Sequence, residues 1–425
     1  MRTDRRGMKA SKVMCITLLM LMSVLAVLGP SAKAADWTKK DMGSIGGQVN
    51  GVTTGDGDND GHKEVYTASS NGAVNQYRTG DKNPEDWKIN SVGFGDGQSF
   101  YMYGIAVGDG RDSGSNAVYA GGFDQNQNGK MYEFNYDKGD WKKTAMGSGG
   151  WGITDVAMGD GKNNGRTAIY GSSWDGKIYE YTYSNGWNAK DIGFSSYYQT
   201  GVTVGDCNND GKNEVYSVTY GYYWWWEQHV YMYTYSSSTQ AWSTTDLGTN
   251  PGYAYGSADI ACADGNNDGN DELFITTYQD TYMIKYDSGS WDWQSIYNNG
   301  NLIQNQIAVG DGDGDNQNEV YNSADNFVYR VVYSSKDGTW FGTSIGSGAD
   351  GGILYGLAVG DGDDCGSQKE VYAGSSDGHV YQFKWDVTPP PNPRVWSPTH
   401  KPGQWSNISN VIVMWKIPPD PSGII

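Results

Sequence analysis

The chain has 425 residues and departs from average composition in three ways: 61 glycines, 32 tyrosines with 17 tryptophans, and a formal net charge of −19. The acidic balance excludes nucleic acid as an expected partner, because phosphate backbones carry the same sign of charge. The glycine, aromatic, Asp and Asn content is typical of short strands and many turns, and it excludes a mainly helical protein.

Residues 1–34 have the pattern of a secretory signal peptide. A basic stretch precedes an apolar run over residues 13–28, and Ala32-Lys33-Ala34 supplies a small-x-small cleavage site. The alternative is a membrane anchor, but 16 apolar residues fall short of the ~20 that a spanning helix needs. We expect a secreted or cell-surface protein with no membrane span in the mature chain, whose charge is 24 − 48 = −24.

Two motifs repeat seven times between residues 36 and 386. The first is an apolar stretch, Gly-Asp in most copies, an acidic loop and a strand that usually opens with Val-Tyr. Its first Asp recurs at Asp56, Asp109, Asp160, Asp206, Asp264, Asp311 and Asp361. The second is Trp, four residues, an apolar residue and usually Gly. It recurs at Trp37, Trp87, Trp141, Trp187, Trp242, Trp291 and Trp340.

Each repeat contains four short strands, which predicts an all-β, seven-bladed β-propeller over residues 36–386. In the last repeat the strands are residues 357–359, 370–374 and 379–383, and residues 340–345 exemplify the Trp-led fourth type. The first Trp strand precedes any acidic loop, and the last repeat has none after Phe383. We therefore expect the N-terminal strand to complete the seventh blade, which a solenoid would not require.

Four of the acidic loops place oxygen donors at positions 1, 3, 5 and 9. This spacing suits the 6–8 oxygen ligands of Ca²⁺, and the acid at position 9 with a strand directly after it distinguishes the loops from an EF-hand. The alternative is a set of solvated turns stabilised by Asx hydrogen bonds. The predicted calcium ligands are Asp56, Asp58, Asp60, Glu64, Asp206, Asn208, Asp210, Glu214, Asp264, Asn266, Asp268, Glu272, Asp311, Asp313, Asp315 and Glu319.

The other three loops depart from this pattern. Loops two and three carry Arg111 and Lys162 at position 3. We expect them to be metal-free, because a side-chain cation can replace the charge of a metal. Loop seven has Asp361 and Asp363 but Cys365 at position 5 and one extra residue before Glu370, and it stays open.

The Val-Gly-Asp and Ile-Ala-Val-Gly-Asp-Gly-Asp stretches at residues 107–110, 204–206 and 307–313 resemble FG-GAP/VCBS-type repeats. Such repeats build the calcium-binding propellers of integrin α-subunits, some lectins and many secreted microbial proteins. The resemblance covers about residues 36–386. It implies four metal ions in a structural role, each clipping the loop between the first two strands of a blade.

Aromatic residues accumulate in the loops predicted on the opposite face: Phe100, Tyr101, Tyr103, Trp151, Tyr197, Tyr198, Tyr253, Tyr255 and Tyr355. The longest run is Tyr222, Tyr223, Trp224, Trp225 and Trp226, which we interpret as a ligand-binding segment, since such side chains stack on sugars or partner surfaces. For the single tyrosines, packing between blades is the favoured alternative.

We find no catalytic constellation in the sequence. The predicted function is therefore that of a monomeric binding or adhesion module for carbohydrate or a surface protein. A polysaccharide-degrading enzyme, or the accessory domain of one, is the alternative.

Two further features concern the cysteines and the C-terminus. The mature chain has Cys207, Cys262 and Cys365; a Cys207–Cys262 disulfide is possible in an oxidising compartment, with one thiol left over. Nine of the 12 prolines lie between Pro389 and Pro421. Residues 387–425 are predicted to be a stiff linker followed by the opening strands of a module that resembles a truncated immunoglobulin-like or fibronectin-type domain.

Overall fold

The computed structural model describes residues 36–80, 83–96, 99–195, 197–220, 227–251, 258–300, 302–349, 351–364, 368–386, 394–396 and 414–416. The chain divides into two compact units, Lys39–Trp385 and the two chain ends. The predicted signal peptide, the segment Tyr222–Trp226, the tyrosines Tyr253 and Tyr255, and Cys365 lie outside the described residues. In the part of the chain that is described, no helix has the length and apolar character to cross a membrane.

Lys39–Trp385 is built from seven four-stranded antiparallel sheets, the blades. The chain enters through β1 (Asp36–Ser44). Blades one to three consist of β2 (Val49–Gly55), β3 (Glu64–Ser69), β4 (Ala73–Gly80), β5 (Asn83–Phe94); β6 (Phe100–Gly108), β7 (Ala117–Asp124), β8 (Gly129–Asp137), β9 (Asp140–Ser148); and β10 (Ile153–Gly159), β11 (Ala168–Ser173), β12 (Lys177–Tyr183), β13 (Trp187–Phe194).

Blades four to six repeat the same order. They consist of β14 (Gln199–Gly205), β15 (Glu214–Thr219), β16 (His229–Ser236), β17 (Ala241–Thr249); β18 (Ile260–Ala263), β19 (Glu272–Thr276), β20 (Asp280–Asp287), β21 (Ser290–Asn298); and β22 (Gln304–Gly310), β23 (Glu319–Ala324), β24 (Phe327–Ser334), β25 (Thr339–Ser347).

The seventh blade confirms the predicted closure of the ring. Its strands are β26 (Leu354–Gly360), β27 (Glu370–Ser375) and β28 (His379–Asp386), and the sheet order is β1-β28-β27-β26. The N-terminal strand is therefore the outer strand of the last blade, and it covers an edge that would otherwise be free to pair with another chain. The predicted seven-bladed, all-β fold is confirmed.

In the C-terminal region, β29 (Arg394–Trp396) and β30 (Met414–Lys416) pair antiparallel. These short strands form a two-stranded sheet of their own. The immunoglobulin-like module stays a prediction.

The repeated tryptophan joins a blade to the one before it at six positions of the ring. The second strands of the blades are buried along almost their whole length, and in six blades the aromatic residue of this strand meets the edge of a tryptophan from the outer strand of the next blade. The pairs, with centroids 5.8–6.2 Å apart, are Trp87–Tyr372, Tyr66–Trp141, Tyr119–Trp187, Tyr170–Trp242, Tyr216–Trp291 and Phe274–Trp340. Edge-to-face contacts of this kind stabilise by about 0.5–1.5 kcal/mol beyond the burial of area.

Candidate metal loops and the aromatic face

The strand order gives the propeller two functional ends. The loops that join first to second strands, beginning at the seven repeated aspartates, lie at one end, which we name the acidic face. The opposite end, which we name the aromatic face, is where the first and third strands of each blade begin and where the second and fourth strands end. The two motifs of the sequence thus serve different surfaces.

The first Asp of each loop organises the loop backbone. In loop one, the Oδ1 and Oδ2 atoms of Asp56 accept hydrogen bonds from the N–H groups of Asp60 and Gly61, both at 3.1 Å. The equivalent carboxylates of loops two to six accept the same pair of bonds. This explains why loops two and three retain Asp109 and Asp160 although their third position is cationic.

Predicted ligands converge in three of the four loops that we assigned to calcium. Carboxylate oxygens lie within 4.8 Å of one another in the groups Asp56–Asp58–Glu64, Asp206–Asp210–Glu214 and Asp311–Asp313–Asp315–Glu319. Asp60 instead turns toward Arg78, 2.8 Å away. Loop seven, which the sequence left open, forms a fourth group from Asp361, Asp363 and Glu370.

Loop five is arranged differently. Among the described residues its acids do not form such a group. The Lys285 ammonium instead contacts Asp268 and lies 3.2 Å from Glu272. The amide nitrogen of Asn266 donates to Glu272 at 2.6 Å. An amide N–H and an ammonium thus both contact the Oε1 atom of Glu272, whose Oε2 atom has no hydrogen-bond partner among the described residues.

Where position 9 is a glutamate, in loops one, four, five and six, that glutamate is the most deeply buried acid of the loop. Glu64 is fully buried, its Oε2 atom accepts a hydrogen bond from the Tyr66 hydroxyl at 2.9 Å, and its Oε1 atom has no hydrogen-bond partner among the described residues. Burial raises the pKa of Glu64 to about 8 and that of Glu214 to about 7. A nearby cation, or a proton, is what such a buried carboxylate requires.

Third-strand cations, which sequence reasoning missed, reach several of these acids. Arg330 lies 2.9 Å from Glu319 and also contacts Asp313, and Lys384 lies 2.9 Å from Asp363. In blade four, the positions equivalent to Arg330 and Lys384 are Met232 and Thr234. The loop-four acids therefore receive no cation from these positions of their own blade.

Loops two and three show an exchange of charge. Arg111 and Lys162 stand where the other loops carry an acid or amide, and position 9 is Ala117 or Ala168. The missing acid reappears on the third strand: Glu133 receives a two-pronged hydrogen bond from Arg111, and Glu180 accepts one from Lys162 at 2.6 Å. The predicted metal-free loops thus hold an internal ion pair.

Neighbouring acidic loops are linked through the residue at position 4. Asn163 has a left-handed φ of 55°, its amide donates to the carbonyl of Asn213 at 2.8 Å, and its Oδ1 atom accepts from the N–H of Asn213 at 2.7 Å. The same exchange joins Asn59 to Asn116, Asn209 to Asp271 and Asn267 to Asn318. The recurrence of Asn at position 4 was a sequence signal for this link.

A disulfide joins Cys207 to Cys262. Cys207 is the second residue of loop four, and Cys262 lies on β18, the first strand of blade five. The pairing that the sequence left open is therefore the one that ties a candidate metal loop to the neighbouring blade.

Apolar side chains are exposed mainly on the aromatic face. Of the ten large exposed apolar residues described in the propeller, eight lie at strand ends or loops of this face: Phe94, Tyr101, Trp151, Phe194, Tyr198, Ile303, Phe327 and Ile353. Trp151 and Phe194 are 56% and 62% exposed. The prediction that placed Phe100 among the loop aromatics of this face is corrected, because its side chain is fully buried and packs on Tyr132.

The remaining predicted aromatics of this face are divided between packing and lining. Tyr197 stacks on His229 of the same blade, with centroids 4.8 Å apart. Tyr103 and Tyr355 line a cavity at the centre of the ring.

Comparison with known proteins supports the fold alone. No protein-family model matches the chain, and no curated protein matches it. Among solved structures, the crystal structure of the WD40 β-propeller domain of Doa1 is similar, with a TM-score of 0.52 and 12% identity over 83% of this chain and 98% of that one. The molecule is a seven-bladed β-propeller, and its resemblance to FG-GAP/VCBS repeats stays a prediction.

Proposed function

We propose that the chain is a secreted or cell-surface binding module, a propeller stabilised by calcium on its acidic face, that binds carbohydrate or a surface protein through its aromatic face. The observation that carries the proposal is the concentration of eight exposed apolar side chains on one end of the ring. An end of a molecule on which exposed apolar side chains collect is a candidate interaction surface.

The metal part of the proposal is best supported in loops one, four and six. Their acids converge within 4.8 Å, and they offer the hard oxygen ligands that Ca²⁺ prefers. In loop one, Glu64 belongs to this group, and its Oε1 atom has no hydrogen-bond partner among the described residues. A bound Ca²⁺ would supply positive charge to the buried carboxylates, which makes the role structural.

A glycan array with the calcium-loaded protein tests the binding function, run beside a reducing-end assay on the same polysaccharides. We expect binding without release of reducing ends. A variant with Trp151 and Phe194 both replaced by Ser tests the face, and Ile89→Ser with Phe341→Ser, exposed outside it, is the matched control. Cleavage of polysaccharide would instead support the enzyme alternative, and equal binding by both double variants would contradict the assignment of the face.

A further inference from the structure

The centre of the ring contains a cavity of about 400 Å³ at the end that belongs to the aromatic face. It is lined by the first residues of several first strands and by two turns between second and third strands. We name it the central cavity, and it is defined by Gln48, Asn50, Tyr103, Thr154, Asp155, Trp174, Thr200, Asn305, Gln306 and Tyr355 with their neighbours. Its volume lies in the range of small-molecule sites.

One wall of the central cavity is a fixed aromatic surface. Tyr103 and Trp174 line the cavity, and Phe123, which is buried, holds both from behind. The ring centroids of Phe123 lie 5.2 Å from Tyr103 and 4.6 Å from Trp174. Rings that are already packed lose little conformational freedom when a ligand stacks on them.

The rest of the lining is polar and almost uncharged. Four amide residues and two threonines are among the lining residues: Gln48, Asn50, Asn305, Gln306, Thr154 and Thr200. Asn50 and Asn305 each donate one amide hydrogen to a backbone carbonyl, that of Met102 at 2.7 Å and that of Leu354 at 3.0 Å, and each keeps a second hydrogen. Amides offer donors and acceptors together, as a polyhydroxylated ligand requires. No lysine or arginine is among the described residues that line it.

Asp155, the one charged residue among the described residues that line the cavity, is held in place by backbone groups. The Oδ1 atom of Asp155 accepts from its own blade at Val156, 2.8 Å away, and the Oδ2 atom accepts from Val202 of the next blade, 3.0 Å away. Burial raises the pKa of Asp155 to about 6, so the carboxylate is mainly ionised at neutral pH. No basic residue among the described lining residues offsets this charge, which disfavours an anionic ligand.

We propose that the central cavity is a saccharide site, which takes a neutral sugar ring stacked on Trp174, with the Tyr103 ring beside it at 64° to the Trp174 plane, and hydrogen-bonded by lining amides. This rests on the proposed binding function and assigns it to residues other than Tyr222–Trp226. The aromatic wall favours the face of a sugar ring, and the lack of a basic lining residue argues against uronate, sulfate and phosphate groups.

Isothermal titration with defined hexasaccharides tests the proposal. The probes are the hexamers of glucose, xylose, mannose and N-acetylglucosamine, with hexagalacturonate as the anionic counterpart. We expect at least one neutral hexamer to bind and hexagalacturonate not to bind. Trp174→Ala should weaken that binding about tenfold or more, the size of effect seen when an aromatic anchor is truncated, whereas Phe341→Ala, at an exposed residue outside the aromatic face, should leave it unchanged. Melting curves of both variants establish that they fold.

Each contrary outcome has a distinct meaning. If a neutral hexamer still binds the Trp174→Ala variant but does not bind a variant with serine in place of Trp224–Trp226, the cavity site is overturned and the proposed function is supported. Tighter binding of hexagalacturonate than of any neutral hexamer would overturn the neutral-sugar assignment. Binding of none of the hexamers at millimolar concentration would overturn the cavity proposal, while the glycan array separately decides the proposed function. If Trp174→Ala fails to fold, Gln306→Ala, which removes a lining amide from the opposite wall, replaces it with the same expectation of weaker binding.

Discussion

Individual charged residues show two solutions to one problem, the burial of an acid beneath each loop. In loop one the acid is Glu64, at the start of the second strand; in blade two it is Glu133, on the third strand, with Arg111 opposite. Glu133 is fully buried, and Arg111 also packs over the Tyr183 ring at 4.5 Å. The buried acid of a blade can therefore be neutralised by a cation of the same blade, provided that the acid lies on the third strand and the cation in the loop.

The Arg111–Glu133 pair yields a prediction about stability. Arg111→Met should lower the free energy of unfolding by about 3 kcal/mol, because it leaves the Glu133 carboxylate buried without its cation. The double variant Arg111→Met with Glu133→Gln should recover most of that loss, since the charge that needed a partner is gone. Urea denaturation of the two variants measures the difference, and equal destabilisation of both would contradict the ion-pair account.

At the scale of the element, the sequence predicted the strands well because each is marked by its own pattern. The predicted strand at residues 370–374 is β27 (Glu370–Ser375), and the one at residues 379–383 is β28 (His379–Asp386). The cations that reach the loops were not predicted. Arg330 and Lys384 reach the acids because of the register in which third strands pair with second strands. The sequence of a single strand does not contain that register.

The links between loops could have been found, because Asn stands at position 4 in loops one, three, four and five. Their role required the next blade to be in place: each Asn bonds a residue about 50 positions away, as Asn163 does with Asn213. The burial of Phe100 was missed for a similar reason. Its ring packs on Tyr132 of a strand that is not its sequence neighbour.

The loop links give the second prediction. Asn163→Ala should destabilise by about 1–2 kcal/mol, since it removes two hydrogen bonds and puts Ala at a φ of 55° that disfavours it. Asn163→Gly keeps the backbone and should lose only the hydrogen-bond part. Asn185→Ala is the matched control, because Asn185 has a φ of 56° in a hairpin turn on the same side of blade three. Thermal melts compare them, and an Asn163→Ala loss no larger than that of Asn185→Ala would contradict the link.

On the scale of the whole molecule, β1 closes the ring, and the Asn links of the acidic face join four of its seven pairs of neighbouring blades. The seven blades are not equivalent, however. Blades two and three carry internal ion pairs, while the acids of loop four lie opposite Met232 and Thr234.

Chelation tests how far the whole ring depends on calcium. We expect EDTA to lower the melting temperature by several degrees, because an ion bound only by the native state stabilises it. The effect should be larger at pH 8 than at pH 5. The folded pKa of Glu64, Glu214 and Glu319 is raised from 4.5 to about 7 or 8, so the metal-free protein loses stability as pH rises through that window.

Calorimetry at both pH values, with and without EDTA, measures this dependence. Asp210→Ala should reduce the calcium-dependent part of the melting temperature, and Lys162→Met, in a loop with its own ion pair, should not. A melting temperature that EDTA leaves unchanged at pH 8 would remove the calcium claim.

The Cys207–Cys262 disulfide has a consequence for cleavage of the chain. The two cysteines enclose 55 positions of sequence, which include three strands of blade four. A protease that cuts anywhere in this stretch separates the polypeptide into two pieces that the disulfide still holds together. The nicked protein would run as one species on a non-reducing gel and as two after reduction, and the ring would keep all seven blades in one covalent molecule.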